Sequence, residues 1–208
     1  MKKAVIWDLD GTLLNSYHVI VESISQTFAE RGINIPKEEI HRYTIEFSTK
    51  SLFCQTACRY GLDADLLQQR YRQISAEKYK DIILMEQALD ILAALENMGV
   101  EHYVFTHRGR TTIPVLDHLG ITGYFREILT SQSGFARKPD PEAICYLIDK
   151  FGLDPGTTWY IGDRAIDMAC AKNAGISAIL YQPEGSFDVS GGGEDYVVNH
   201  LIEIADIV

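Results

Sequence analysis

The sequence predicts an α/β fold: a doubly wound parallel sheet with a small helical-bundle cap inserted into it. Three observations carry this. Short apolar runs recur along the chain with helix-like segments between them. The runs are nearly continuous rather than alternating, and the interval from about Asn15 to Leu84 holds no convincing strand. Continuous runs suit strands covered on both faces, and strand–helix alternation implies parallel pairing through crossover helices.

The predicted strands are "KAVIWD" at 3–8, "EHYVFT" at 101–106, "EILTS" at 127–131, "TWYIGD" at 158–163, "SAILYQ" at 177–182 and "DYVVN" at 195–199. Between them, "EQALDILAALENMG" reads as a helix with Leu89, Leu92, Ala93 and Leu95 on its apolar side and Gly99 at its end. "DPEAICYLIDKFG" has Asp140 as the expected N-cap, Pro141 at the first helical position and Gly152 past the end. "AIDMACAKNAG" closes on Gly175 in the same way. Within the strandless interval, "VIVESISQTFAERG", "PKEEIHRYTI", "SLFCQTACRYG" and "ADLLQQRYRQISAEKYKD" read as four helices. The expected division is therefore an α/β core over 1–15 and 85–208 and a helical cap over 16–84. The glycine-rich stretch "EGSFDVSGGGEDY" at 184–196 reads as a flexible connector, because no lysine and no helix start follow as in a phosphate loop.

Composition narrows the function classes. The 208 residues carry a formal net charge of −10 and are 46% hydrophobic. An acidic chain lacks the basic footprint of a nucleic-acid or anionic-lipid binder, but its charge does not forbid a small phosphorylated substrate as partner, because a metal and one lysine can reverse the field locally. No apolar run reaches the roughly 20 residues of a membrane span, and the apolar run after Lys2 and Lys3 stops at Asp8. The expectation is a cytoplasmic protein, monomeric or weakly dimeric. Cys54, Cys58, Cys145 and Cys170 form no metal-type pattern and read as small buried side chains.

Open α/β sheets bind ligands beyond the carboxyl ends of their strands. Asp8 and Asp10 leave the first strand there, Thr106 and His107 leave "YVFTH", and Asp163 leaves "TWYIGD", with Asp167 one helical turn on. Lys138 in "RKPDP" precedes a helix start. Several carboxylates in one place do not all stay ionised without a cation. Oxygen donors without a Cys/His cluster suit a hard cation, best Mg2+ with a substrate phosphate beside it. Lysine is a point charge for phosphate, and an aspartate can attack phosphorus as a covalent nucleophile.

These residues, in this order, resemble the haloacid dehalogenase-like (HAD) superfamily, in its helical-cap phosphatase branch of phosphoglycolate phosphatases and β-phosphoglucomutase-like enzymes. "DLDGTL" at 8–13, Thr106, Lys138 and "GDRAID" at 162–167 look like its four motifs. The resemblance implies a Rossmann-like core and an Mg2+-dependent phosphatase working through an aspartyl phosphate. It implies that Asp8 is the nucleophile and a metal ligand. Asp10 is the general acid and base, its carbonyl also on the metal. Asp163 is the third metal ligand, and Asp167 supports the metal from behind. Thr106 and the His107 amide hold phosphoryl oxygens, and Lys138 bridges Asp8 and the phosphate. The dehalogenase branch lacks the second aspartate, because a halide leaving group needs no proton and an ester oxygen does. A phosphomutase and a catalytically silent ligand- or partner-binding member share the same motifs and stay open.

The chain departs from the family pattern in places. His107 and Arg108 follow the motif-two threonine where asparagine is frequent. The His107 side chain is expected to face the cap or substrate, or to cap the next helix. Arg108 and Arg110 read as solvated loop charges rather than as receptors for a second anion. "MEQA" at 85–88 stands where the family has proline–glycine, which should alter only the second hinge. Substrate choice is expected from "IEFSTKS" at 45–51, with Phe47 and Lys50, and from Tyr17 and His18 past the first hinge.

Overall fold

The computed structural model describes residues 3–189 and 191–208. The chain divides into two compact units, Met1–Asn15 with Ile83–Val208, and Ser16–Ile82. The first contains β1 (Ala4–Trp7), β2 (Leu14–Asn15), β3 (Ile83–Leu84), β4 (Glu101–Phe105), β5 (Phe125–Leu129), β6 (Thr158–Gly162), β7 (Ser177–Tyr181) and β8 (Tyr196–Val198). Its helices are α5 (Ala88–Asn97), α6 (Thr112–His118), α7 (Glu142–Phe151) and α8 (Ala165–Asn173). The second unit contains α1 (Tyr17–Ala29), α2 (Lys37–Glu46), α3 (Thr49–Tyr60) and α4 (Ala64–Glu77).

Six strands form one sheet in the order β5-β4-β1-β6-β7-β8, and every pairing in it is parallel. β1 lies between β4 and β6, so residues leaving these three strands emerge side by side. Ala4 and Ile6 pack into a cluster with Tyr103, Phe105, Tyr160, Ile144 and Leu147 of α7, and Met168 and Ala171 of α8. Strand alternation turns Val5 and Trp7 to the opposite face, where the Trp7 indole N–H donates to His102 Nδ1 at 3.0 Å. All four β1 side chains are fully buried, as the unbroken apolar run requires.

Several local expectations shift. The buried face of α5 is Ala88, Ile91, Leu92 and Leu95, the i, i+3, i+4, i+7 series counted from the first helical residue, while Leu89 is 48% exposed. α7 starts one residue late, with Pro141 as N-cap. Asp140 still caps from outside, its Oδ1 accepting from the Glu142 N–H at 2.9 Å. β2 and β3 form a two-stranded antiparallel ribbon where no strand was expected. Each strand is two residues long, too short to show a period. Ile83 and Leu84 thereby join the first unit rather than the helical one. α6 was also unforeseen, being short and carrying Pro114 in its first turn, where proline is tolerated. Cys54, Cys58 and Cys145 are exposed, against expectation, and Cys170 alone is buried. Between Glu184 and Asp195 the described residues form no helix or strand, and Ser190 lies outside them. Asp195 ties that stretch to β7, exchanging hydrogen bonds with the Ala178 carbonyl and N–H.

The helical unit has its own core, built from Ile20, Ile24 and Phe28 of α1, Ile40 of α2, Leu52 and Phe53 of α3, and Leu67 of α4. Phe28 and Phe53 meet edge to face at 5.5 Å. Among the described residues, no helix is long and apolar enough to cross a membrane.

Candidate active site

Asp8 is the first residue past β1, held there by its N–H donating to the Ile161 carbonyl at 2.8 Å. The chain then turns sharply. Gly11 adopts φ +86, a conformation that suits glycine, and its N–H donates to the Leu14 carbonyl at 2.9 Å. Leu9, between the two aspartates, is fully buried.

Lys138 reaches Asp8 from the loop before α7. Its Nζ lies 2.9 Å from Asp8 Oδ1 and 2.7 Å from Asp167 Oδ1. It also sits over the faces of Phe105 and Tyr160, at 5.3 and 5.2 Å from the ring centroids. Burial alone would lower the Lys138 pKa, but Asp167 and Asp8 outweigh it and raise it. Burial pushes Asp8 up to about 6; Lys138 opposes this and the Asp167 and Asp10 charges add to it. Asp8, Asp163 and Asp167 each bring a carboxylate oxygen within 4.8 Å of the others. One ammonium does not balance that group. The donor set is all oxygen and short of positive charge, which fits a hard divalent cation.

Two residues not singled out as functional complete the cluster. Thr12, fully buried, donates from Oγ1 to Asp163 Oδ1 at 3.1 Å, across 151 residues of chain. Gly162 leaves the space that Asp167 fills: a Cβ there would lie 2.5 Å from Asp167 Cγ. Asp167 is further fixed by the Arg164 N–H, which donates to its Oδ2 at 3.2 Å. The signal for Gly162 lay in the "GD" of the fourth motif; Thr12 gave none beyond its place in the first.

Thr106 follows β4, its N–H donating to the Leu129 carbonyl and its Oγ1 accepting from the Arg108 N–H at 3.1 Å. That turn leaves the Thr106 hydroxyl proton available to an anion. The half-buried His107 ring turns to the segment that carries Lys138. Its Nε2 accepts from the Lys138 backbone N–H at 3.0 Å. Burial, with help from Lys138, Arg137 and Arg164, pushes His107 down to about 2, so the ring is neutral with its proton on Nδ1. His107 thus braces the segment that presents Lys138.

Arg108 overturns its reading as a solvated loop charge. The residue is 8% exposed. Its Nε donates to Asp10 Oδ1 and Oδ2 at 3.0 and 3.2 Å, and Nη2 donates to Oδ1 at 2.5 Å. Nη1 donates to Thr111 Oγ1 at 2.9 Å. Nothing in the local sequence distinguishes Arg108 from its exposed neighbour Arg110, because its partner lies 98 residues away.

The residues expected to choose the substrate, Tyr17, His18, Phe47 and Lys50, belong to the helical unit. Phe47 ends α2, 55% exposed and 4.7 Å from the Tyr43 ring. Lys50, in the first turn of α3, is exposed. Tyr17 packs on His41, with centroids 5.0 Å apart. His18 Nε2 lies 3.1 Å from the Asp81 carbonyl, which joins the two chain ends of that unit.

The profile of the haloacid dehalogenase-like hydrolase family matches residues 5–181. A phosphoglycolate phosphatase of Pseudomonas savastanoi pv. phaseolicola is 26% identical over 86% of this chain and 69% of its own length. The pyrophosphatase PpaX of Oceanobacillus iheyensis is 24% identical over 99% of this chain and 96% of its own. Among solved structures, one described as a predicted phosphoglycolate phosphatase from Haemophilus somnus superposes with a TM-score of 0.86. It is 25% identical and covers 99% of this chain and 97% of its own. With the strand-end carboxylates, the buried lysine and the parallel sheet in place, the chain belongs to the haloacid dehalogenase-like hydrolase family.

Proposed function

We propose that this protein is a Mg2+-dependent phosphatase that hydrolyses a small phosphorylated metabolite through a phosphoaspartate on Asp8. One observation carries the reading: Lys138 Nζ joined to both Asp8 and Asp167, with Asp163 beside them, at the carboxyl ends of the central strands. The names of the two curated relatives, a phosphoglycolate phosphatase and a pyrophosphatase, point the same way.

Asp8 Oδ attacks phosphorus as the bond to the ester oxygen breaks. That oxygen leaves with the bonding pair and takes a proton from Asp10. Water then attacks the phosphoaspartate, gives its proton to the Asp10 carboxylate, and phosphate departs as Asp8 is regenerated. Lys138 keeps Asp8 ionised and in place, and the Thr106 hydroxyl with the His107 amide holds phosphoryl oxygens. Magnesium held by Asp8, Asp163 and the Asp10 carbonyl would neutralise phosphoryl charge and align the groups in line. Asp167 orients Lys138 and the metal side of the site.

The test is phosphate release from an aryl phosphate and a panel of phosphorylated sugars, nucleotides and small acids. Turnover should need Mg2+, stop with EDTA, and be lost in Asp8→Asn. Beryllium fluoride should be trapped by the native protein with Mg2+ and not by that variant. No turnover on the panel, with metal present, overturns the reading.

A further inference from the structure

Two buried rings flank the Lys138 ammonium. Phe105 ends β4 and Tyr160 lies in β6, on the strands either side of β1. Both side chains face the same side of the sheet, in the cluster that holds Ile6, Tyr103 and Met168. They are 2% and 0% exposed. Lys138 Nζ lies over both rings, 5.3 Å from the Phe105 centroid and 5.2 Å from that of Tyr160. An ammonium taken out of water needs compensation. Asp8 and Asp167 supply part of it, and two of the three N–H groups suffice for them. The negative faces of the rings attract the charge without taking a hydrogen. An ammonium surrounded in this way keeps an N–H for a further oxygen.

Tyr160 makes a second contact. Its hydroxyl donates to the Phe105 carbonyl at 2.7 Å, reaching from β6 past β1 to β4. That carbonyl belongs to the peptide that carries the Thr106 N–H. One side chain therefore touches both phosphoryl-binding groups, with its ring against Lys138 and its hydroxyl against the start of the Thr106 turn. Burial, with the Asp167 and Asp8 charges, pushes the Tyr160 phenol well above its ordinary range, so the hydroxyl stays a donor.

We propose that Tyr160 and Phe105 are positioning residues for phosphoryl transfer: their faces seat the Lys138 ammonium in place of water, and the Tyr160 hydroxyl fixes the turn that presents Thr106. This rests on the hydrolase reading and deepens it, by naming what holds its two phosphoryl-binding groups in register. An aliphatic side chain of similar size fills the same space but offers no face to a cation. The role is therefore electrostatic as well as steric, and the two parts are separable.

The experiment weakens a ring face while nearly keeping its shape. Mono-, di- and trifluorinated phenylalanine, incorporated at position 105 alone, withdraw electron density from the face in steps. With Mg2+ and an aryl phosphate, kcat/KM should fall along the series, to about a tenth or less in the trifluoro protein, on the scale of a desolvated cation–ring pair. The same series at Phe28, in the core of the helical unit, should leave kcat/KM unchanged. Calorimetry with inorganic phosphate and Mg2+ should show weaker binding along the Phe105 series, a readout independent of turnover. In urea, stability should also fall in steps, and this dependence should vanish in Lys138→Met, where the ring faces no charge. Tyr160→Phe keeps the ring and removes the hydroxyl. Its kcat should fall about fivefold or more with KM little changed, and the Phe105 series in that background should keep its slope. A flat fluorination series in an enzyme that turns over overturns the proposal, as does Tyr160→Phe with native kinetics whatever its stability. A native enzyme that hydrolyses no phosphate ester refutes the hydrolase reading beneath it, and the urea series then decides by itself whether the rings seat Lys138.

Discussion

Replacing Lys138 with methionine tests the charge balance of the site. The side chain is 2% exposed and joins Asp8 and Asp167, themselves 9% and 1% exposed, at 2.9 and 2.7 Å. Methionine keeps the volume and removes the charge, leaving two buried carboxylates beside Asp163. Breaking a buried pair from one side costs about 3–5 kcal/mol, and that range is expected from urea unfolding at pH 8 in EDTA. The pH dependence follows from Asp8. Its folded pKa is raised to about 6, so its ionisation works against the fold, and the penalty develops as pH rises from the ordinary carboxylate range through 6. Below that window Asp8 carries its proton and Lys138 compensates Asp167 alone. At pH 5 the cost of the substitution should therefore be clearly smaller. Saturating magnesium should stabilise the variant more than the native protein, since the ion restores positive charge; ligand at 100 times Kd contributes about 2.7 kcal/mol. Hydrolysis should fall by about 100-fold or more, as when one electrostatic stabiliser is removed. A variant within about 1 kcal/mol of native at pH 8 in EDTA, on the same scale of buried-pair costs, refutes the reasoning. So does a cost larger at pH 5 than at pH 8.

Gly162→Ala should fold but lose at least about 10-fold in activity, because the new Cβ would meet Asp167 Cγ at 2.5 Å and such displacement misaligns Lys138; wild-type kinetics in the alanine variant would contradict this. Gln87 is the one non-glycine at positive φ among the described residues, at +64. Gln87→Gly should raise stability by about 0.5–1 kcal/mol, less what is lost with the 3.3 Å bond from the Ile202 N–H to Gln87 Oε1; thermal denaturation reads the sign. His102 is held down to about 4, chiefly by burial. Its neutral form is the folded one, so stability should drop as pH falls from 6.5 to 4, by up to about 3 kcal/mol. His102→Gln, which keeps an acceptor for Trp7, should flatten that slope in urea titrations, and an unchanged slope would place the acid sensitivity elsewhere.

Much of the core was legible because its signals are local. A four-residue apolar run, a glycine past a helix end and a proline near a helix start each act within a few residues. The strand-end rule then places Asp8, Thr106 and Asp163 together without any knowledge of packing. What was not legible depends on partners distant in sequence or on helix phase. Arg108 and Arg110 look alike in "THRGR", and only the position of Asp10 separates the buried one from the exposed one. Thr12 gains its role from Asp163, and the His107 ring from the Lys138 backbone. Leu89 misread the face of α5 because the phase of a helix follows its first residue, and "MEQA" starts the helix at Ala88 through a left-handed Gln87. Gln87, within "MEQA", does more than reshape a hinge: it holds a left-handed backbone conformation and its side chain accepts from the Ile202 N–H.

The spacing of the two aspartates now has a physical meaning. Two carboxylates on one short turn repel, and the repulsion contributes to raising Asp8. The chain answers with a separate cation for each: Lys138 from the loop before α7 for Asp8, and Arg108 from the turn after β4 for Asp10. The two pairs are not equivalent. Asp8 is the more enclosed, 9% against 23% for the Asp10 side chain, and its lysine is held a second time by Asp167 and braced through its backbone by His107. Asp10 accepts from the Arg108 guanidinium, whose Nη1 donates to Thr111 Oγ1. The Asp10 carboxylate is the more exposed of the two. On the proposed mechanism, the enclosed and doubly held Asp8 suits the attacking group, and the more exposed Asp10 suits the group that exchanges a proton with the leaving oxygen and with water.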